Sequence, residues 1–332
     1  MLLLTALLMI LFAIIVEFNV SFLFEMTIFT MLNIIYSEDF LQHKTGLSHP
    51  ESPERLRAIV EALSKVDWKS QLSWRLPSER DPLKYIQQVH TLEHIARIRD
   101  IAITGGGYLT PDTPVSQRSY EVALLTVNAW LDGVDLVLDT DDPAFVLARP
   151  PGHHATRDQA MGFCLFSNAA IAANYALGNP GIERVAIVDW DVHHGNGTED
   201  IIKDNPQLAY CSLHQHPCYP GTGYSNEIGQ YDNILNLPMA PGCTIDDYQP
   251  VFEQKVIPFI ENFQPDLLIV SAGYDANHQD PLASISLQPD DYGFFTQCLR
   301  KITRNIVLGL EGGYHLQALA DSVVATLANL IK

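Results

Sequence analysis

The chain is poor in positive charge. Twenty Lys and Arg stand against thirty-nine Asp and Glu in 332 residues, a net charge near −19. That balance argues against direct binding to a nucleic-acid backbone and suits cationic small molecules or lysine-bearing peptides. No Lys or Arg occurs before Lys44. A signal peptide carries a basic n-region and a membrane anchor basic residues on its cytoplasmic flank, so the apolar opening "MLLLTALLMILFAIIV" fits neither pattern well. Cysteine is sparse as well. Cys164, Cys211, Cys218, Cys243 and Cys298 are odd in number, scattered, and include no CxxC pair. They suggest neither a disulfide framework nor a cysteine zinc site, and a reducing, cytoplasmic setting is expected.

Low-complexity tracts, charge blocks and Pro/Ser linkers are missing from Met31 onward, so no domain boundary is expected within residues 31–332. Met31 opens "MLNIIYSEDF", which reads as the strand-like start of a domain. Residues 1–30 are therefore read as an over-called upstream start. If genuine, they form a membrane anchor a little short of the ~20 residues of a span, and membrane contact is expected only through them.

What is present is a large core and a regular alternation. With 47% hydrophobic residues the chain can bury a sizeable interior. The runs "LNIIYS", "AFVLAR", "RVAIVDWD", "LAYCSLH", "NILNLPM", "DLLIVSAG" and "NIVLGLEGG" read as strands buried on both faces. Helical patterns lie between them, among them "SPERLRAIVEALSKV", "TLEHIARIRDIAI", "SYEVALLTVNAWL", "NAAIAANYAL", "YQPVFEQKVIPFIENF" and "HLQALADSVVATLANLI", the first opening at Ser52 with Pro53 in its first turn. The expectation is a single-domain, three-layer α/β/α architecture around a mostly parallel sheet.

In such sheets ligands bind beyond the carboxyl ends of the strands. Four of those ends carry related chemistry: "RPPGHHA", "DWDVHHGNG", "SAGYDANHQDP" and "LEGGY". Along an extended segment side chains alternate, so Asp189, Asp191 and His193 project to one side and Trp190, Val192 and His194 to the other. Asp191 and His193 can share a metal with Asp275, leaving an open position for water. That set suits Zn2+, with Fe2+ or Co2+ also compatible with oxygen-rich ligation. His194 is read as structural. A turn after Pro151-Gly152 can aim His153 and His154 at one point as general base and electrostatic or general-acid partner, with Asp189 and Asn196 as candidates to hold their other nitrogens. Tyr314, after two glycines, can swing its hydroxyl over a cleft toward a developing oxyanion. Gly162, Phe163 and Tyr219 can wall an alkyl chain.

Together, "HPESPERL", "RPPGHHA", "GFC", "DWDVHHGNGT", "SLHQ", "PGTG", "SAGYDANHQDP" and "EGGYH" resemble the histone deacetylase and acetylpolyamine amidohydrolase family, on the arginase/deacetylase fold. The likeness runs in order from about Ile34 to Leu330. It implies a zinc site at Asp191, His193 and Asp275, a histidine pair at His153 and His154, and a transition-state tyrosine at Tyr314. It also implies a structural K+ or Na+ held by Asp189, the carbonyls of Asp191 and His193, Ser212 and Leu213. Asn196 and Glu311 resemble the class II-like, bacterial-type branch of histone deacetylase-like amidohydrolases. Leu282 stands at the pocket-rim position where polyamine-selective relatives can carry an acid. The expected activity is therefore metal-dependent removal of acetyl or short acyl groups from amines, acetyl-lysine of proteins or peptides first. Deacetylation of acetylpolyamines or other small acetylated amines is the alternative, and a non-catalytic module that binds acylated amines is the alternative of another class.

Overall fold

The computed structural model of the protein describes residues 31–331, and the reading of residues 1–30 lies outside them. The strands are β1 (Leu32–Ile35), β2 (Leu72–Arg75), β3 (Gly106–Thr110), β4 (Thr113–Ser116), β5 (Ala144–Val146), β6 (Val185–Asp189), β7 (Leu208–Gln215), β8 (Ile234–Met239), β9 (Leu267–Ala272) and β10 (Ile306–Leu310). Eight of them form one sheet in the order β2-β1-β5-β10-β9-β6-β7-β8, and every pairing in it is parallel. All seven strands expected from apolar runs are in this sheet. β1, β6, β7, β9 and β10 are buried at every position, which is why they read as unbroken apolar runs rather than alternating ones.

Helices cover the sheet: α1 (Glu54–Leu63), α2 (Leu83–Val89), α3 (Leu92–Ile103), α4 (Ser119–Thr140), α5 (Asn168–Ala176), α6 (Asn196–Ile202), α7 (Ile245–Val251), α8 (Ile257–Phe263), α9 (Pro289–Arg300) and α10 (Leu316–Ala328). α4 and α5 pack together and lie on the central strands, while α1 and α9 each pack on α10. Contact between α4 and β10 is close enough that a Cβ on Gly309 would fall 1.9 Å from the Trp130 ring. A smaller apolar cluster, with Ile86, Ile95, Val115, Val127 and Phe166, joins α2, α3 and the β3–β4 hairpin to α4.

The structure adjusts several local readings. Pro53 stands just before α1 rather than inside it. The helix expected over "YQPVFEQKVIPFIENF" is α7 and α8 joined by a π-helical turn at Phe252–Val256, with Pro250 and Pro258 each withdrawing a backbone donor from the helical ladder. Among the described residues no helix is long and apolar enough to cross a membrane, and all five cysteines are free.

Candidate active site

β5, β10, β9 and β6 are consecutive neighbours in the middle of the sheet. Because they run parallel, their carboxyl ends lie side by side, and the four polar runs that follow them meet at one edge.

Asp191, His193 and Asp275 converge there. His193 Nδ1 lies 3.1 Å from Asp191 Oδ1 and 3.1 Å from Asp275 Oδ2, and ligand atoms of the three residues lie within 4.8 Å of one another. Both carboxylates are fully buried. Backbone donors orient them: Gly312 N–H donates to Asp191 Oδ2 (2.8 Å), His193 N–H to Asp191 Oδ1 (2.9 Å) and Val192 N–H to Asp275 Oδ1 (2.9 Å). Gly312 is required by this approach, since a Cβ would sit 2.1 Å from Asp275 Oδ2.

Burial, and then the charge of Asp191, push the Asp275 carboxyl up. Burial opposes charge on His193, but hydrogen bonds to Asp191 and Asp275 outweigh it and raise its pKa well above the ordinary value. Two buried carboxylates facing one imidazole nitrogen are thus short of positive charge. Ligand atoms bound to a tetrahedral ion at about 2.0–2.1 Å would stand about 3.3 Å apart. The donor set and its 3.1 Å separations fit a small divalent metal.

Beside this cluster the His153 and His154 rings lie with centroids 4.0 Å apart, tilted by 42°. His153 Nδ1–H donates to Asp189 Oδ2 (3.0 Å), which also accepts the Tyr210 hydroxyl (2.9 Å). His154 Nδ1–H donates to Asn196 Oδ1 at 2.8 Å. The outer nitrogen of His154, Nε2, keeps its lone pair, while His153 Nε2 lies 3.8 Å from Asp191 Oδ1. Burial lowers His153, but Asp191 and Asp189 outweigh it and hold the ring up to about 10. His154 is driven well below its ordinary value by burial and then by the neighbouring His153 and His193. The turn that carries the pair is pinned by Glu311, whose Oε2 accepts the N–H groups of Gly152 (2.6 Å) and His153 (3.2 Å).

A cavity of about 240 Å³ opens above His154 and His193. Phe163 and Tyr314 meet edge to face across it at 5.8 Å, and Tyr219 stands 5.1 Å from the His154 ring. Tyr219 and Leu282, at 39% and 38% exposure, form the rim. Gly162 lines the wall at φ +54°, where a Cβ would lie 2.3 Å from the His154 ring. The Tyr314 phenol is pushed up by burial and by Asp275 and so stays protonated as a donor; the Arg55 guanidinium lies 5.0 Å from its ring.

Of the residues expected around a monovalent cation, Ser212 is paired in register with Asp189 across β6 and β7, Leu213 follows it, and both are buried. The Ser212 hydroxyl also lies 2.9 Å from His214 Nδ1. His194 points away from the carboxylates, with Nδ1 2.8 Å from Thr222 Oγ1 and Nε2 3.0 Å from Glu199 Oε2.

Sequence reasoning missed three groups. Asp112, in the β3–β4 turn, also lines the cavity, and nothing in its local sequence signals a cleft. Arg55 donates through Nε to Gly313 O (2.7 Å) and through NH1 to Glu51 (3.2 Å); both sit in "HPESPERL", which carried the resemblance but no role. Burial would raise Glu51, yet Arg149 and Arg55 outweigh it and hold the carboxyl at about 2. Asp280 binds the backbone of Tyr314.

The crystal structure of the HDA15 HD domain superposes with a TM-score of 0.87 at 35% identity, covering 91% of this chain and 88% of that one. The histone deacetylase-like amidohydrolase of Pseudomonas aeruginosa is 38% identical over 289 residues, 83% of this chain and 75% of that protein. An uncharacterized protein of Synechocystis sp. is 57% identical over 305 residues, 91% of this chain and 100% of its own length. Residues 49–330 match the histone deacetylase domain, and the chain belongs to that deacetylase family.

Proposed function

We propose that the protein is a metal-dependent deacetylase that hydrolyses the amide of an acetylated amine, acetyl-lysine in a protein or peptide before other substrates. The observation that carries this reading is the convergence of Asp191, His193 and Asp275 at the cavity, with His154 and Tyr314 on its walls. A divalent metal, zinc before iron or cobalt, held by those three residues would polarise the acyl carbonyl and acidify the attacking water.

The chain's own groups supply the rest. His154 lines the cavity and is kept neutral, so its free Nε2 accepts the proton that the water loses as the new C–O bond forms. His153, held against Asp189, contributes positive charge beside it. Tyr314 donates its O–H to the carbonyl oxygen as negative charge develops there. When the C–N bond breaks, the proton passes to the departing amine, and the products are acetate and the free amine. Phe163 and Tyr219 hold the alkyl stem between aromatic faces. Asp189, Ser212 and Leu213, with the Asp191 and His193 carbonyls, are the proposed holders of K+ or Na+.

The acidic surface and the Asp112 carboxylate at the cavity also suit a small cationic amine, which keeps acetylpolyamines as the second reading. Acetate release from an acetyl-lysine peptide and from acetylspermidine, with and without chelator, tests both. Release that is abolished by chelation and restored by zinc is expected. No release from any acylated amine by metal-loaded protein would leave only an acyl-amine binding module.

A further inference from the structure

The segment Glu311–His315 belongs to neither β10 nor α10, yet it delivers Tyr314 to the cavity. Its backbone groups are held one by one. Glu311 N–H donates to Ala272 O (3.0 Å), Gly312 N–H to Asp191 Oδ2 (2.8 Å), Gly312 O accepts Tyr274 N–H (3.1 Å), and Gly313 O accepts Arg55 Nε–H (2.7 Å). The N–H groups of Tyr314 and His315 both donate to Asp280 Oδ2, at 2.6 and 3.3 Å.

The other oxygen of the same carboxylate, Oδ1, accepts Leu282 N–H at 3.1 Å. Asp280 is itself 8% exposed and anchored through its own N–H to Asn277 O (2.9 Å). One side chain therefore joins two parts of the cavity boundary that lie 32 positions apart, Tyr314 on the wall and Leu282 on the rim. Gly313, at φ +111°, gives the preceding link a conformation that other residues rarely adopt. Without Asp280, neither the Tyr314 nor the His315 amide has another partner in the structure.

We propose that Asp280 is a positioning residue, setting the reach of the Tyr314 hydroxyl and the width of the cavity mouth through backbone hydrogen bonds. The inference rests on the deacetylase reading for its kinetic consequence and on geometry alone for its structural one. A transition-state donor displaced by even a fraction of an ångström loses much of its effect. Asp280→Asn would keep one acceptor oxygen that could still serve the Tyr314 side, so Asp280→Ala is the first variant. It removes both oxygens, and the Tyr314 and Leu282 sides lose their partner together.

The test pairs Asp280→Ala with Tyr314→Phe in a double-mutant cycle on acetyl-lysine peptide hydrolysis, with metal content measured for each protein. Asp280→Ala is expected to lower kcat about tenfold or more with metal content unchanged. In the Tyr314→Phe background it should cost less than about twofold, because the group it positions is gone. Equal losses in both backgrounds, or wild-type kcat for Asp280→Ala, would overturn the proposal.

Hydrogen exchange of the peptide spanning residues 311–316 gives a readout independent of activity. Faster exchange at Tyr314 and His315 in Asp280→Ala is expected, and unchanged exchange refutes the clamp. Should the wild type release no acetate at all, the deacetylase reading fails while exchange still decides whether the clamp exists. If Asp280→Ala does not fold, Asp280→Glu, which keeps both oxygens on a longer stem, takes its place in the same cycle and exchange measurement.

Discussion

Two pairs of buried histidines with rings in tilted contact flank the carboxyl end of β6, and they differ in one respect. The His153 and His154 ring centroids lie 4.0 Å apart, those of His194 and His214 4.8 Å, and all four are nearly inaccessible. In the second pair every nitrogen has a protein partner. His194 reaches Thr222 and Glu199, while His214 reaches Ser212 Oγ and, through Nε2, Gly223 O (2.9 Å). In the first pair only Nδ1 is hydrogen-bonded, to Asp189 or Asn196. Burial does not set the two pairs apart; the Nε2 of His154, on the cavity wall without a hydrogen-bond partner among the described residues, does.

The contrast can be broken most forcefully at the shared floor. Asp191→Ala is expected to abolish deacetylation and to lose bound metal, read by elemental analysis of the purified protein. Retained metal at wild-type stoichiometry would remove Asp191 from the ligand set.

The histidines themselves come next. His154→Ala should lower kcat by about 100- to 10,000-fold without loss of metal, whereas His214→Ala should chiefly lower stability. Losing two buried hydrogen bonds and ring packing there costs about 2–4 kcal/mol in denaturant unfolding. An equal kinetic loss from the two variants would erase the distinction. Tyr314→Phe is expected to lower kcat about 100-fold with normal metal content, and near-normal turnover would exclude the oxyanion role.

The two pairs should also respond to acid in different ways. Burial, and then His194, hold His214 down to about 3, against about 6.5 in an unfolded chain. The folded pKa is depressed, so the unfolded state takes up a proton first. The contribution of this group to stability is complete above pH 6.5 and is lost as pH falls toward 3. His214→Gln should therefore reduce the stability lost between pH 7 and pH 4.5 by roughly 2 kcal/mol, measured as urea midpoints at both values. The smallest effect is expected from Asn196→Asp. A carboxylate at His154 Nδ1 favours the protonated ring, so the acid limb of the kcat profile should move to higher pH by about one unit. An unmoved limb would mean that His154 is not the group titrating there.

The sheet was readable where burial is two-sided. Seven strands announced themselves as apolar runs, but β2, "LSWR", did not: three of its four residues are partly or fully exposed at the sheet edge. The β3–β4 hairpin begins with glycines and exposes Tyr108, so it carries no alternating signal. The short α2 and α6, and α9 with Gly293 in its middle, also lack a long helical period. In the site, Asp189, Asp191 and His193 could be assigned to one side by alternation, although regular strand geometry ends at Asp189. Asp112, Arg55 and Asp280 could not be assigned a place, because each acts on a segment remote in the chain.

By itself the sequence determined the parallel α/β architecture, the chemistry at four strand ends and the side to which each residue of "DWDVHH" projects. Those properties follow from local periodicity, which records whether successive side chains meet core or solvent. Only the tertiary structure decided that β5, β10, β9 and β6 are adjacent, that Glu311 supports the turn of His153, and that His154 keeps a free nitrogen while His194 and His214 do not. These are outcomes of strand order and packing between distant segments, and no local pattern encodes which buried polar atom finds a partner.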